Sequence, residues 1–420
     1  MAEAEVLSGL DNELGWQREL YQDLHRNPEL SLAEHRTAEL VQDRLAGFGY
    51  DVQRIGGTGV VGILANGDGP TVLARADTDA LPVTEATGLP YASTATAVDE
   101  SGNIVGVMHA CGHDFHVASL LGAAKLMADG RRHWSGTYIA LFQPGEEIGA
   151  GAQAMLDDGL AAKVPKPDVA LAQHVMPFAA GRIGTTPGPI LSAGDSVRVT
   201  VYGKGAHGSM PHNSVDPVVL AASIVMRLQT IVSRETKPGD FAVLTVGALN
   251  AGFKSNIIPD RATLLLNIRT YDMGLRGRII DSIERIVGAE CEAAGSPQPP
   301  EFGYYDQFPL TSNDAAATEQ VTKAFRAHFG GEAVFSMKPA TASEDFSRIP
   351  DAFGTPYTYW TVGGVDPGTY REAVKNGSVD QDIPANHSPF FAPTIDPTLG
   401  IATQAQVVAA LSYLGADDPS

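Results

Sequence analysis

The sequence predicts an α/β domain on a central mixed sheet, interrupted by a compact α+β insert. Three observations predict it. Short β-branched runs alternate with helical patterns in the first half of the chain, which marks an α/β sheet. Between about Gly194 and Gln307 the pattern changes to strand, helix, strand, strand, helix, strand, the order of a ferredoxin-like unit. At 420 residues, the chain also exceeds the size at which one hydrophobic core stops growing. The expected divisions are residues 1–190, an insert at 191–307 and a return over 308–420.

Taken in order, Leu14 to Phe48 carries apolar residues at helical spacing, with a break at Asn27-Pro28. VVGILAN and TVLARAD read as strands, the second ending in Asp77 and Asp79. HDFHVASLLGAAKLMADG reads as a helix with a broad small-and-apolar face, and Gly130 stops it. TYIALFQPGEE is a strand entering a Pro-Gly turn, and DVALAQHVMP is a buried strand closing at His174. Ligands of such sheets sit outside the carboxyl ends of the strands, so these positions are informative. In the insert the strands are SVRVTVYG, FAVLTVGAL, ATLLLNIRT and PEFGYYDQF, and the helices are DPVVLAASIVMRLQTIVSR and RGRIIDSIERIVGAECEAA. Beyond it, AATEQVTKAFRAHFG and TLGIATQAQVVAALSYLGA read as helices, with the strand TPYTYWTVGG between them.

Composition narrows the function classes. Hydrophobic residues make up 44% and charged residues 19%, a globular profile. A net charge of −20 argues against nucleic acid or an anionic membrane as partner. The two cysteines, Cys111 and Cys291, are too few for a disulfide framework and fit a reducing cytoplasm. MAEAEVLSGL lacks the pattern of a signal peptide, and no run of 18 uninterrupted apolar residues occurs.

Chemistry concentrates in HACGHD, residues 109–114. Cys111 and His113 alternate just before a helix, and thiolate and imidazole suit zinc and related ions. A buried structural cysteine beside a hydrogen-bonding histidine has the same pattern. Glu146-Glu147 closes an apolar strand, where one carboxylate could bind metal and the other move protons. An acidic helix N-terminus accounts for the pair equally well. His174 and His387 are each ordinary alone. With Cys111, His113 and Glu147 they supply sulfur, nitrogen and oxygen donors suited to a pair of divalent ions. His35, His116, His133 and His212 read as ordinary surface or helix residues.

The ordered segments HRNPELSLAEHRT, RADTDALPV, MHACGHDFH, FQPGEEIGAGAQAM, GKGAHGSMPH, NIIPDRATL, SEDF and NHSPFF resemble the dinuclear-metal aminoacylase/carboxypeptidase family. Within it they are similar to the amidohydrolase branch of hippurate hydrolases, N-acyl-amino-acid amidohydrolases and plant auxin-conjugate hydrolases. The resemblance runs from about His25 to Phe391. It implies ligands Cys111, His113, Glu147, His174 and His387 for two divalent ions, Zn²⁺ or Mn²⁺. Glu146 becomes the general base, and Asp77, Asp79 and Asp114 become groups that orient ligands. The insert becomes a lid and dimerisation domain whose His207 stabilises the oxyanion in the neighbouring subunit. Asn256 and Arg269 face the substrate there, although Arg269 alone also reads as a solvated strand arginine. GAHGSMPH departs from the branch in carrying Gly208-Ser209 where two alanines are usual, a change that bears on local packing or the acyl pocket.

The activity implied is metal-assisted hydrolysis of N-acyl amino acids by a homodimer, giving a carboxylic acid and a free amino acid. Two rivals stand beside it. A thiol hydrolase would use Cys111 as nucleophile, activated by His113 or His174, which leaves the glutamate pair without work. A binding protein on the same scaffold would hold an acyl amino acid without turnover, and the presence of Glu146 weighs against it.

Overall fold

The structure is a computed structural model that describes residues 2–99 and 102–415. The chain divides into two compact units. One holds the chain up to Ile190, Ser312–Lys338 and the chain from Asp345 onward; the other holds Leu191–Thr311 and Pro339–Glu344.

The expected mixed sheet lies in the first unit. Its eight strands run in the order Asp51–Arg54, Val60–Asn66, Gly136–Gln143, Thr71–Asp77, Val169–Ala179, Tyr357–Val365, Ile183–Thr185 and Val334–Ser336. The four central strands are mutually parallel, and antiparallel pairs flank them. These central strands are almost wholly buried, as expected of strands covered on both faces. The helices His113–Asp129 and Thr398–Leu414 are buried nearly all round, so their small residues permit close packing against the sheet and against each other. The break at Asn27-Pro28 is real: one helix is Leu10–Arg26 and the next starts at His35.

One expected boundary is wrong. The strand through His174 continues to Ala179, so His174 lies inside it rather than at its end. Pro177 is tolerated because it falls where the pairing with Tyr357–Val365 shifts register, between the pairs Gly363–Met176 and Val365–Ala179. The segment Pro367–Asn376 is a helix that the apolar pattern does not announce; Asp366 caps it, with Pro367 opening its first turn.

The second unit has its own core. Its four-stranded antiparallel sheet runs Ala242–Ala251, Arg261–Thr270, Ala193–Tyr202, Glu301–Phe308. Arg261–Thr270 alternates buried and less buried residues along its length, the period of a strand packed on one face. Pro217–Thr230, capped by Asp216, and Met273–Ala294, capped by Asp272, cover that face with Leu220, Ile224, Leu228, Ile279, Ile283 and Val287. The first of these helices continues through a π turn over Ile231–Glu235. The 19 residues Pro217–Glu235 are long and apolar enough to cross a membrane by composition. In the structure one side of this helix packs on the sheet, while Val219 and Met226 remain exposed. Pro339–Glu344 joins this unit through a backbone hydrogen bond from Ser192 to Ala342, 2.8 Å, a contact between segments far apart in sequence.

Candidate metal centre

Parallel register brings the first unit's chemistry to one sheet edge. Asp77 ends its strand opposite Gln143, three residues before Glu146, and the neighbouring parallel strand carries His174. The helix beginning at His113 opens beside that edge, and Gly112 makes the turn with φ 84°. A Cβ on Gly112 would stand 2.5 Å from Val175 Cγ1, so both backbone conformation and space require glycine. His387 arrives on a distant loop, tied down by its N–H to Ala110 O at 2.8 Å.

These residues converge. Cys111, His113 and Glu147 each offer a ligand atom within 4.8 Å of the others. Cys111 Sγ lies 3.4 Å from His174 Nε2, and His387 Nε2 lies 3.3 Å from Glu147 Oε2. His113 Nε2 is 3.7 Å from Glu147 and 3.9 Å from Glu146. All but His387 are buried or nearly so.

Hydrogen bonds around the donors decide which nitrogen is free. His113 Nδ1 donates to Asp79 at 3.2 Å, which leaves its Nε2 lone pair facing the cluster. His174 Nδ1 donates to Val175 O at 2.8 Å, again leaving Nε2. Asp79 is itself held by the Ser31 hydroxyl at 2.6 Å and the Glu147 N–H at 3.0 Å. His113 Nε2 and Glu147 Oε1 are buried without any hydrogen-bond partner among the described residues, an arrangement that is costly unless a cation takes up both. Sulfur, imidazole and carboxylate donors fit divalent ions of the zinc class.

Electrostatics treat the donors differently. Burial penalises a charge on His174, so the imidazole stays neutral, the form that ligates metal. Burial opposes charge on His113 as well, but Asp77, Asp79 and Cys111 outweigh it and raise its pKa. Hydrogen bonds to Cys111 and Glu147 lift His387 to about 10. An acidic pocket that holds protons on imidazoles also attracts divalent cations, which compete for the same lone pairs. Burial and the nearby Glu147 push the Cys111 thiol up.

Asp77 and Asp79 stand behind the donors, whereas Asp114 turns to His25. Asp77 accepts from His116 at 2.5 Å and from the fully buried Arg75 at 2.7 Å. Burial opposes its charge, yet His113, Arg75 and the hydrogen bond from His116 hold it well below the carboxylate range. Asp114 pairs with His25 Nδ1 at 2.7 Å, and Glu85 meets the other ring nitrogen at 3.1 Å. Burial works against a charge on His25, but the two carboxylates lift it to about 10, making it a buried cation.

His116 corrects an expectation. It is not a surface residue: it is 1% exposed, with Nδ1 on Asp77 and Nε2 accepting the Val175 N–H at 2.9 Å. Both nitrogens are committed, so it orients Asp77 and offers no ligand atom. Its position three residues after His113, on the same helix face, is the available signal. Arg75 has a comparable one, a charge two residues before Asp77 within an apolar strand.

The second unit holds the other expected residues. His207 is exposed on a two-residue strand paired with Ile257–Ile258. Ser209 N–H and hydroxyl both lie on its Nδ1, at 3.2 and 2.8 Å, which leaves Nε2 as the protonated donor. The departure at Ser209 therefore acts on the histidine ring. His207 and Asn256 line one groove of about 760 Å³. Arg269 is partly buried, its guanidinium held by Asn267 at 3.0 Å and by Ser343.

Comparison with known proteins gives the family. Residues 73–385 match the model of peptidase family M20/M25/M40. The N-acetyl-L-cysteine deacetylase of Bacillus subtilis is 38% identical over 337 residues, 79% of this chain and 77% of that protein. The hippurate hydrolase of Campylobacter jejuni is 38% identical over 329 residues, covering 77% and 82%. Among solved structures, a dinuclear metal binding peptidase of the M20 family from Bacillus subtilis superposes with a TM-score of 0.75 at 27% identity, covering 96% of this chain and 99% of that one. The chain belongs to peptidase family M20/M25/M40 and is a metal-dependent hydrolase of its amidohydrolase type.

Proposed function

We propose that the protein hydrolyses the amide bond of N-acyl amino acids, releasing a carboxylic acid and a free amino acid. The observation that carries this reading is the buried donor set, in which His113 Nε2 and Glu147 Oε1 face each other at 3.7 Å with no hydrogen-bond partner among the described residues. Cys111, His113, Glu147, His174 and His387 would hold two divalent ions, zinc or manganese, which when bound lower the pKa of a water and polarise a carbonyl. Glu146, buried beside His113, takes the proton from the attacking water and passes it to the departing amine nitrogen. His207 Nε2–H donates to the oxygen that gains charge as the carbonyl becomes tetrahedral. Asn256 and Arg269 bind the substrate carboxylate, for which a planar guanidinium is suited. Asp77 and Asp79 keep the donors in place.

Two chains would pair through the second unit, each lending His207 to the other. The exposed Val219 and Met226 of the helix Pro217–Glu235 and the free edge of Ala242–Ala251 support this, since such surfaces are commonly buried by a symmetric partner. The working compartment in this reading is the cytoplasm, in keeping with two free cysteines. The thiol-hydrolase alternative is disfavoured because it leaves Glu146 and Glu147 without a role. The test is a panel of N-acetyl, N-benzoyl and indole-acetyl amino acids on metal-reconstituted protein, followed by release of free amine. Turnover of at least one series is expected; none across the panel contradicts the reading.

A further inference from the structure

Leu32 is held in a backbone conformation that is costly for its side chain. Its φ is 62°, in the left-handed region that disfavours an L side chain. Asn or Asp in that region can gain a local hydrogen bond, and leucine cannot. Burial does not compensate either, because the residue is 42% exposed.

The turn around it is nevertheless firmly built. The buried Glu34 accepts the N–H of Leu32 at 2.8 Å and the N–H of Gly145 at 2.9 Å through one oxygen. Its other oxygen takes the Thr58 hydroxyl at 2.5 Å. Ser31 donates to Asp79, the residue that orients His113. The turn is thus pinned on one side to the support of a proposed ligand. On the other it is pinned to Gly145, the residue before Glu146. A Cβ on Gly145 would lie 2.8 Å from Leu32 Cδ2, so the leucine methyl occupies the space where Gly145 has no side chain. Backbone strain held by surrounding hydrogen bonds beside a reactive centre is where a functional side chain is expected.

We propose that Leu32 is a specificity-determining residue that contacts the acyl group of the substrate. A leucine cannot hydrogen-bond an amide or a carboxylate, and the acyl group is apolar surface that every such substrate presents. This rests on the amide-hydrolase reading. The test holds constant whichever amino acid the wild type releases fastest and compares its N-acetyl and N-benzoyl derivatives. Leu32→Gly relieves the positive φ, so its melting temperature should equal or exceed that of wild type. The benzoyl-to-acetyl ratio of kcat/KM should nonetheless fall about tenfold, and Leu32→Ala should lower it in the same direction. A ratio that stays constant or rises, or a parallel fall on both substrates, overturns the assignment. Failure of the wild type to hydrolyse any N-acyl amino acid instead removes the reading beneath it.

Discussion

The two units treat their candidate site histidines in opposite ways. In the first, His113 and His174 are buried, and each has one nitrogen fixed by a carboxylate or carbonyl. In the second, His207 is exposed, and only the adjacent Ser209 fixes its ring. The contrast fits the two tasks proposed for them. A metal ligand must be desolvated and oriented before the ion arrives. A donor to developing charge needs only a defined proton and access to the substrate. Changes at His113 or His174 should therefore alter metal content and stability, and changes at His207 should alter rate alone.

The largest effect expected is at the glutamate pair. Glu146→Gln should retain metal while kcat falls by roughly 10²–10⁴-fold. Glu147→Gln should lose metal, and elemental analysis beside steady-state kinetics separates the two. The reverse pattern would exchange their roles.

Next comes the second unit. His207→Ala should lower kcat by roughly 10²–10³-fold, the loss typical of one oxyanion donor, with unchanged melting temperature and metal content. Mixing it with Glu146→Ala tests exchange between chains. A mixed dimer rebuilds one intact site only if His207 acts on the neighbouring chain. A mixed dimer that forms but stays inactive, or an active monomer, rules out that arrangement.

A third prediction concerns the buried His25 cation. Its pKa is raised from 6.5 to about 10 in the folded chain, so the stability it contributes is complete below about pH 6.5. That contribution is lost as pH rises through 10. The gap in melting temperature between wild type and His25→Gln should be widest near pH 6 and shrink steadily towards pH 10. A gap independent of pH would mean the ring is neutral between Asp114 and Glu85.

The smallest effect is expected at Ser209→Ala. The backbone N–H still reaches His207 Nδ1 at 3.2 Å, so kcat should fall only about two- to fivefold, the value of one exposed hydrogen bond. A loss as large as that of His207→Ala would make the hydroxyl itself part of the chemistry.

The sequence exposes the donors more readily than their supports. Cys111 and His113 are legible as a dense polar cluster opening a helix, and the glutamate pair because packing alone rarely places two carboxylates at the end of an apolar strand. His116 is easily misread, since its one signal, the spacing from His113, counts only once His113 is placed in the site. Glu34 and Ser31 lie in a family-like segment that gives no hint of their roles: their partners Gly145 and Asp79 are distant in sequence, and only the fold joins them. Pro339–Glu344 is hidden for the same reason, because its link to the second unit is backbone pairing, which any side chain permits.

The central claim is that these buried donors hold the ions on which hydrolysis depends. Activity and metal content measured together during chelation and stepwise reconstitution test it most directly. The chelated protein should be inactive, and hydrolysis of an N-acyl amino acid should return as Zn²⁺ or Mn²⁺ binds, reaching its maximum at about two ions per chain. Cys111→Ala should stop short of that occupancy and of that rate. Full turnover by a chain demonstrably free of metal would contradict the account and return Cys111 to consideration as a nucleophile.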